Sequence, residues 1–420
     1  MSAQRAKASR LFGRVILMMV VMVAAFALAL PPLLSTPLEA EEIAPTRRVN
    51  VPYWPVGSPA IFWLGAVDET SNYADVRLIY NDENLEVAIH ILDRLLWRDP
   101  EPATQMLTDW DAISFYLDLE GNSGTVPDAN AFRFDIQARH WEPAELYQAG
   151  YRGNGSTWVE APGLFTAESG WRGSGFNDDS DDKGWLTEFA IPFASLGLDG
   201  PPPEGTTWGL SVVVHDRDDA AGAAIPKRLW PEAMEPNVPA TWGQLVFGIP
   251  GYSLPAAIPQ GSTTIRQGLD GASVVDGHVG GHTTCGDGLN HWTEWGEANY
   301  AGYEQVNIQN QWDVADYPCF SKYFVTFPLD ALPTEKIIIS AKLTMHLFGN
   351  AGGGEWGEPP DSYIQALSIG EEWDEATLSW NSAPLAMENI TGTWVYPAPS
   401  GEGDEYYPYQ WNVSRAVTQA

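Results

Sequence analysis

Basic residues are scarce in this chain: 22 Lys and Arg stand against 55 Asp and Glu in 420 residues, a formal net charge of -33. A surface of that sign repels phosphate backbones, which argues against a nucleic-acid partner. Charged residues of both signs reach only 18%, too few for a coiled coil or a helical repeat array. There is no internal repeat and no sustained helical period. The chain also has no Gly-x-Ser-x-Gly elbow, no phosphate-binding loop and no His-Glu-x-x-His helix. Acids are so numerous that some pair meets any glycosidase spacing, and such a pair signals nothing alone. No enzyme is expected within these residues. What the chain does have is 19 Trp, 16 Tyr, 15 Phe, 40 Gly and 32 Pro. That composition describes an aromatic-rich, turn-rich β protein with ample material for buried cores, and at about 150 residues per domain it predicts two domains.

The N-terminal 40 residues read as a signal peptide or signal anchor. Arg5, Lys7, Arg10 and Arg14 precede an unbroken apolar run over residues 15–30. The run is long for a signal core and short of the roughly 20 residues of a spanning helix. Ala40 is a candidate cleavage point. The remainder is therefore expected outside the cytoplasm, secreted or at the cell surface, touching membrane only through this segment if it is uncleaved.

Two bodies, 51–248 and 262–420, flank a Pro/Gly-punctuated, uncharged linker at 249–261. In the first, Val76, Leu78 and Tyr80 alternate toward a turn at residues 81–84, and Leu85, Val87, Ile89 and Ile91 alternate away from it, a hairpin signal. Ile113, Phe115, Leu117 and Leu119 alternate likewise, as do Trp208, Leu210, Val212 and Val214. The pattern predicts a β-sandwich with one face of each sheet buried. In the second body residues 337–348 are the best strand region, and residues 371–384 are the densest local pattern.

Residues of roughly 70 to 248 resemble the family 9 carbohydrate-binding modules. The matching stretches are 76–93, Asp111-Ala-Ile-Ser-Phe-Tyr-Leu-Asp118, 184–193, 208–216 and Trp242-Gly-Gln-Leu, in family order. Residues 262–420 resemble the DNRLRE domain, grouped with family 96 carbohydrate-binding modules. That likeness rests on Ser340-Ala-Lys-Leu-Thr-Met, on Trp373-Asp-Glu-Ala-Thr-Leu-Ser-Trp-Asn-Ser-Ala-Pro384 and on Trp411-Asn-Val-Ser. The second family continues beyond its last motif, so this body is expected to be incomplete at 420. The resemblances imply an all-β fold of two tandem, jelly-roll-like sandwiches. They also imply non-catalytic polysaccharide binding by an exported protein, in the service of carbohydrate catabolism if it targets a glycan-degrading enzyme. The alternatives are a structural or adhesive surface module without a sugar site, or the accessory part of a longer glycoside hydrolase or lyase.

The sugar site departs from the first family's pattern. Thr108 falls where the first stacking Trp aligns, with Trp110 two positions away. The loop at residues 231–239 has no Trp, and Ser114 replaces the polar Glu of the strand motif. If a site exists, Trp110 is its platform and Trp230 a second ring, with Asp111 and Asn237 as hydroxyl partners. Trp292, Trp295 and Trp356 lie in polar or Gly-rich stretches and are further loop rings, whereas Trp185, Trp208, Trp373 and Trp380 sit in fold motifs and read as core. An acidic body favours neutral glycans over uronates. The resemblance further implies structural calcium (Ca2+) near Asp93 and Asp216, completed by Asp68, Asp111 or Asp218 and by carbonyls. Residues 177–182 begin like a calcium loop but place Asp182 where the turn needs Gly, so they read as solvated acidic loop. His278, His282, Cys285 and His291 suit zinc by type, but nothing around them is helical. Cys285 and Cys319, the only two thiols of an exported chain, are expected to form a disulfide.

Overall fold

The alternating segments become strands in a computed structural model that describes residues 46–102, 104–122, 124–140, 142–281, 285–309, 314, 319–333, 335–350, 360–398 and 407–420. The chain is all-β, with one short α-helix, α1 (Ser414–Gln419), and short 3-10 turns among the described residues. The strands of the N-terminal half are β1 (Arg48–Val51), β2 (Ala60–Asp68), β3 (Ser71–Tyr80), β4 (Asn84–Leu92), β5 (Ala112–Asp118), β6 (Ala131–Gln137), β7 (Gln148–Gly153), β8 (Trp158–Glu160), β9 (Thr166–Arg172), β10 (Gly184–Pro192), β11 (Thr207–His215), β12 (Arg228–Trp230) and β13 (Gly243–Phe247). Those of the C-terminal half are β14 (Val275–Val279), β15 (Lys322–Thr326), β16 (Lys342–Leu347), β17 (Ser362–Ile369), β18 (Ala386–Val395) and β19 (Tyr407–Asn412).

Two sheets face each other. One runs β2-β3-β4-β10-β9, and the other runs β17-β18-β1-β13-β11-β5-β6-β7-β8 with β12 added beside β11. The hairpin read from the sequence is there, Tyr80 opposite Leu85 and Leu78 opposite Val87. Val76, Leu78, Val87, Ile89, Phe115 and Val212, the inward residues of the alternating runs, fill the core between the sheets. Each such side chain stabilises by roughly 1.5–3 kcal/mol on burial.

The expectation of one wet face per sheet fails for the first sheet. β3 is buried almost throughout, because a second core covers its outer face. Trp63, Val67, Tyr73 and Leu92 from the first sheet join Trp292, Trp295, Leu378 and Trp380 from the C-terminal half. The Lys322 ammonium lies 3.7 Å from the Trp63 ring centroid and 3.9 Å from that of Trp380, and donates to the Tyr73 hydroxyl at 2.7 Å. The ring faces offset part of what burial costs the amine, and that burial holds Lys322 well below its usual range. Trp292 and Trp295, expected on loops, are thus core residues, and Trp295 donates its indole N–H to the Gly280 carbonyl at 2.7 Å.

Residues 249–261 have no regular structure and stay exposed or half-buried. The segments on either side nevertheless share a sheet, since β1 pairs in parallel with both β13 and β18. Residues 45–420 form one compact unit. Arg47 reinforces that seam: it pairs with Glu232 at 2.6 Å and Glu371 at 2.9 Å, and donates to the Ala386 carbonyl. Within residues 337–348 only β16 is strand, and Ile337 is exposed.

Candidate functional site

Three acids gather where strands β4 and β11 end. Asp93 follows β4, Asp216 follows β11, and Asp218 lies two residues on; one carboxylate oxygen from each lies within 4.8 Å of the other two. Asp93 is 1% exposed. One of its oxygens accepts the Leu95 N–H at 3.1 Å, while the other is buried without a partner, as is one oxygen of Asp216. Burial, and then the neighbouring carboxylates, hold Asp93 well above the usual carboxylate range. Burial and Asp218 push Asp216 up to about 7. Like charges at this distance need a shared proton or a cation. Three convergent hard oxygen donors, two of them orphaned, fit a calcium-type ion that draws its remaining ligands from carbonyls and water.

Of the three residues named to complete that set, only Asp218 does so. Asp111 is wholly buried with both oxygens committed, to Trp97 N–H at 2.5 Å and Arg217 N–H at 2.9 Å. Burial, then Asp93 and Asp216, hold it well above the usual carboxylate range. Asp68 turns to its own loop and accepts from the Thr70 N–H at 2.8 Å. Asp182, read as solvated, is buried and accepts from Leu96 N–H at 3.2 Å and Ser174 N–H at 2.6 Å. The rest of the acidic loop is solvated as read, with residues 177–179 and Asp181 exposed, and only Asp182 folds inward.

The four sugar-contact residues do not form one site. Trp230 is 1% exposed; β12 pairs with β11, and the Trp230 ring packs on Phe62 with centroids 4.2 Å apart. It belongs to the main core because β12 carries it under the sheet, which its polar sequence neighbours conceal. Trp110 is half-buried, with the Arg217 guanidinium 3.8 Å from its ring centroid, so one face is already taken. Asp111 is sealed from solvent, as above. Asn237 alone lies exposed, and its Oδ1 accepts the Trp158 indole N–H at 2.9 Å. Trp158 stacks at 7° on the buried Trp242, an aromatic shelf that the sequence reading had not singled out.

Between Asp111 and that shelf, the outward face of β5, β6 and β11 carries a buried polar group. Ser114 Oγ donates to Asp135 Oδ1 at 2.6 Å and lies 3.0 Å from His215 Nε2. Asp135 also takes both arms of Arg133, at 2.8 and 2.5 Å. The residue types are those of a catalytic triad, but the order is not. The carboxylate holds the serine rather than the imidazole, Ser114 is wholly buried, and burial, then Lys227 and Arg133, keeps His215 well below its usual range. The group ties β5 to β6 and β11 by side-chain bonds. Arg133 and Asp135 alternate with apolar residues in β6, which was the signal available for them.

Among the described residues no cysteine is free. His282 and Trp356 lie outside the described residues. His278 stacks on Tyr300 at 4.9 Å, while His291 packs against Trp292 and Trp295 and burial lowers it to about 4. Both are buried ring-packing residues.

No family profile matches the chain. No curated protein matches it in sequence. Among solved structures it is similar to a family 9 carbohydrate-binding module from Caldicellulosiruptor kristjanssonii in complex with cellotriose, at 16% identity and TM-score 0.33, covering 51% of this chain and 100% of that one. It is likewise similar to a family 9 module from the same organism in complex with glucose, at 16% identity and TM-score 0.31, covering 50% of this chain and 100% of that one.

Proposed function

We propose that this protein is an exported, non-catalytic binder of neutral polysaccharide. The observation that carries the reading is the fate of the family 9 stretches. Residues 76–93, 111–118, 184–193, 208–216 and 242–245 supply β4, β5, β10, nearly all of β11, half of β3 and the start of β13 in one continuous sandwich. Asp93, Asp216 and Asp218 would hold a structural Ca2+ ion at one end of it, neutralising carboxylates that otherwise repel. Export through the N-terminal segment, pairing of Cys285 with Cys319, and a DNRLRE-like C-terminal body belong to the same proposal.

One observation favours a second reading, a structural or adhesive module that kept the fold without the sugar site. Trp230 and Asp111 are sealed in the interior and Trp110 is covered by Arg217. Affinity electrophoresis of the protein through gels containing xylan, β-glucan, mannan or pectin separates the two. Retardation by a neutral glycan, and not by pectin at low salt, is expected. Unretarded migration in all four gels would overturn sugar binding in favour of the structural module.

A further inference from the structure

Trp54 is 57% exposed, unlike the other tryptophans of the N-terminal half, whose rings are buried or half-buried among the described residues. A large ring left in water on a rigid support is informative where a scattered apolar residue is not. The support here is rigid. The Trp54 N–H donates to the Tyr80 carbonyl at 2.8 Å, and the Tyr80 N–H donates to the Pro52 carbonyl at 3.1 Å. The Val56 and Gly57 N–H groups both close on the Tyr53 carbonyl at 3.0 Å.

The β3–β4 turn stands beside this segment and is equally fixed. Asn81 Oδ1 accepts the N–H groups of Glu83 and Asn84, each at 2.8 Å. The Glu83 carbonyl takes the Phe193 N–H at 2.9 Å. Tyr53 joins the two segments, with its hydroxyl on Asp82 Oδ1 at 2.8 Å and its ring edge-on to Tyr80. Between them lies a pocket of about 320 Å³ lined by Tyr53, Trp54, Pro55, Asn81, Asp82 and Glu83.

We infer that this pocket is a saccharide subsite in which Trp54 stacks on the apolar C–H face of a neutral pyranose while Asp82 and Glu83 accept its hydroxyls. The inference rests on the sugar-binding reading and gives it a place in the fold away from Trp110 and Trp230. A flat indole matches a flat C–H face, and carboxylate oxygens accept hydroxyl protons. No basic side chain lines the pocket, so an anionic sugar meets only repulsion. The volume lies at the low end of ligand pockets, roughly 300–1,000 Å³, which suits one or two rings of a chain. An organic cation is the competing occupant. It would want several ring faces, and here Tyr53 turns its edge to Tyr80 and spends its hydroxyl on Asp82.

The test uses the whole protein, wild type and the W54A and W54F variants. Titration calorimetry with cello-, xylo- and manno-oligosaccharides reads affinity, and thermal melting checks the fold. In W54A, affinity for the best neutral oligosaccharide should fall about 5-fold or more, with W54F between and the melting temperature unmoved. If the wild type binds a sugar and W54A binds it equally well, the subsite is wrong while sugar binding stands. If the wild type binds none, both fail. Binding of tetramethylammonium that W54A abolishes, with no sugar effect, would assign the pocket to a cation instead.

Discussion

Arg217 lies over Trp110 with its guanidinium carbon 3.8 Å from the ring centroid, and its backbone N–H donates to Asp111, the next residue along from that ring. The same guanidinium ties its own loop by donating to the carbonyls of Asp219 at 2.8 Å and Ala220 at 2.7 Å. Trp110 thus has one face covered by Arg217 and is not an open platform.

W110A should therefore leave glycan retardation unchanged, while R217A should lower stability by about 1–2 kcal/mol through lost carbonyl bonds and ring contact. Affinity electrophoresis reads the first and urea unfolding the second. Loss of retardation in W110A alone would show the ring to be open in solution.

Calcium at the acid cluster should raise stability, by about 2.7 kcal/mol when free calcium is a hundredfold above its dissociation constant. Without the ion, the raised Asp216 gives a signed pH dependence. Its folded value of about 7 exceeds the unfolded one of about 3.9, so between these limits the folded state holds more protons. Cation-free stability should then fall as pH rises from about 4 to 7, and Asp93 and Asp111, also raised by burial, act in the same direction. D216N should flatten that slope, stabilise the cation-free protein at pH 7.5 and abolish the calcium response. Thermal melts in EDTA and in millimolar calcium measure all three. Identical melts in the two buffers for the wild type would remove calcium from the account.

Trp230 and Trp54 make a paired prediction. W230A empties a site in the main core and should cost about 3–5 kcal/mol. W54A removes an exposed ring and should stay within about 0.5 kcal/mol. Urea midpoints compare them directly, and similar losses would mean that Trp54 carries fold stability.

The intact mass without reductant should be two hydrogens below the sequence mass if Cys285 pairs with Cys319. Reduction should then cost roughly 3–4 kcal/mol in the chain-entropy picture. Alkylation of two thiols in the unreduced protein would exclude the bond.

Local pattern carried the strands well and the surroundings poorly. The β3–β4 hairpin, β5 and β11 were readable because period-2 alternation is a property of neighbouring residues. The cover over β3 was not, since Lys322 and Trp380 stand more than 200 positions away in the chain. The same limit hid Trp230, whose neighbours Arg228 and Glu232 look like loop while β12 tucks the ring against Phe62. Asp93 and Asp216 were legible as acids at strand exits. Choosing Asp218 over Asp68 and Asp111 needed the backbone donors that occupy the last two. Trp54 drew no attention because its exposure is set by the turn it sits on, not by any residue-type pattern.

The place of β1 between β13 and β18 has a consequence for how the protein comes to be. Asn50 exchanges bonds with Asn389 and donates to Glu388, contacts that close across more than 330 residues. Such late, long-range pairing slows folding and lengthens the time that a strand edge stands open. A chain emerging N-terminus first holds β1 with one edge unsatisfied until residues near 390 arrive. During that interval it is exposed to mispairing with other nascent copies.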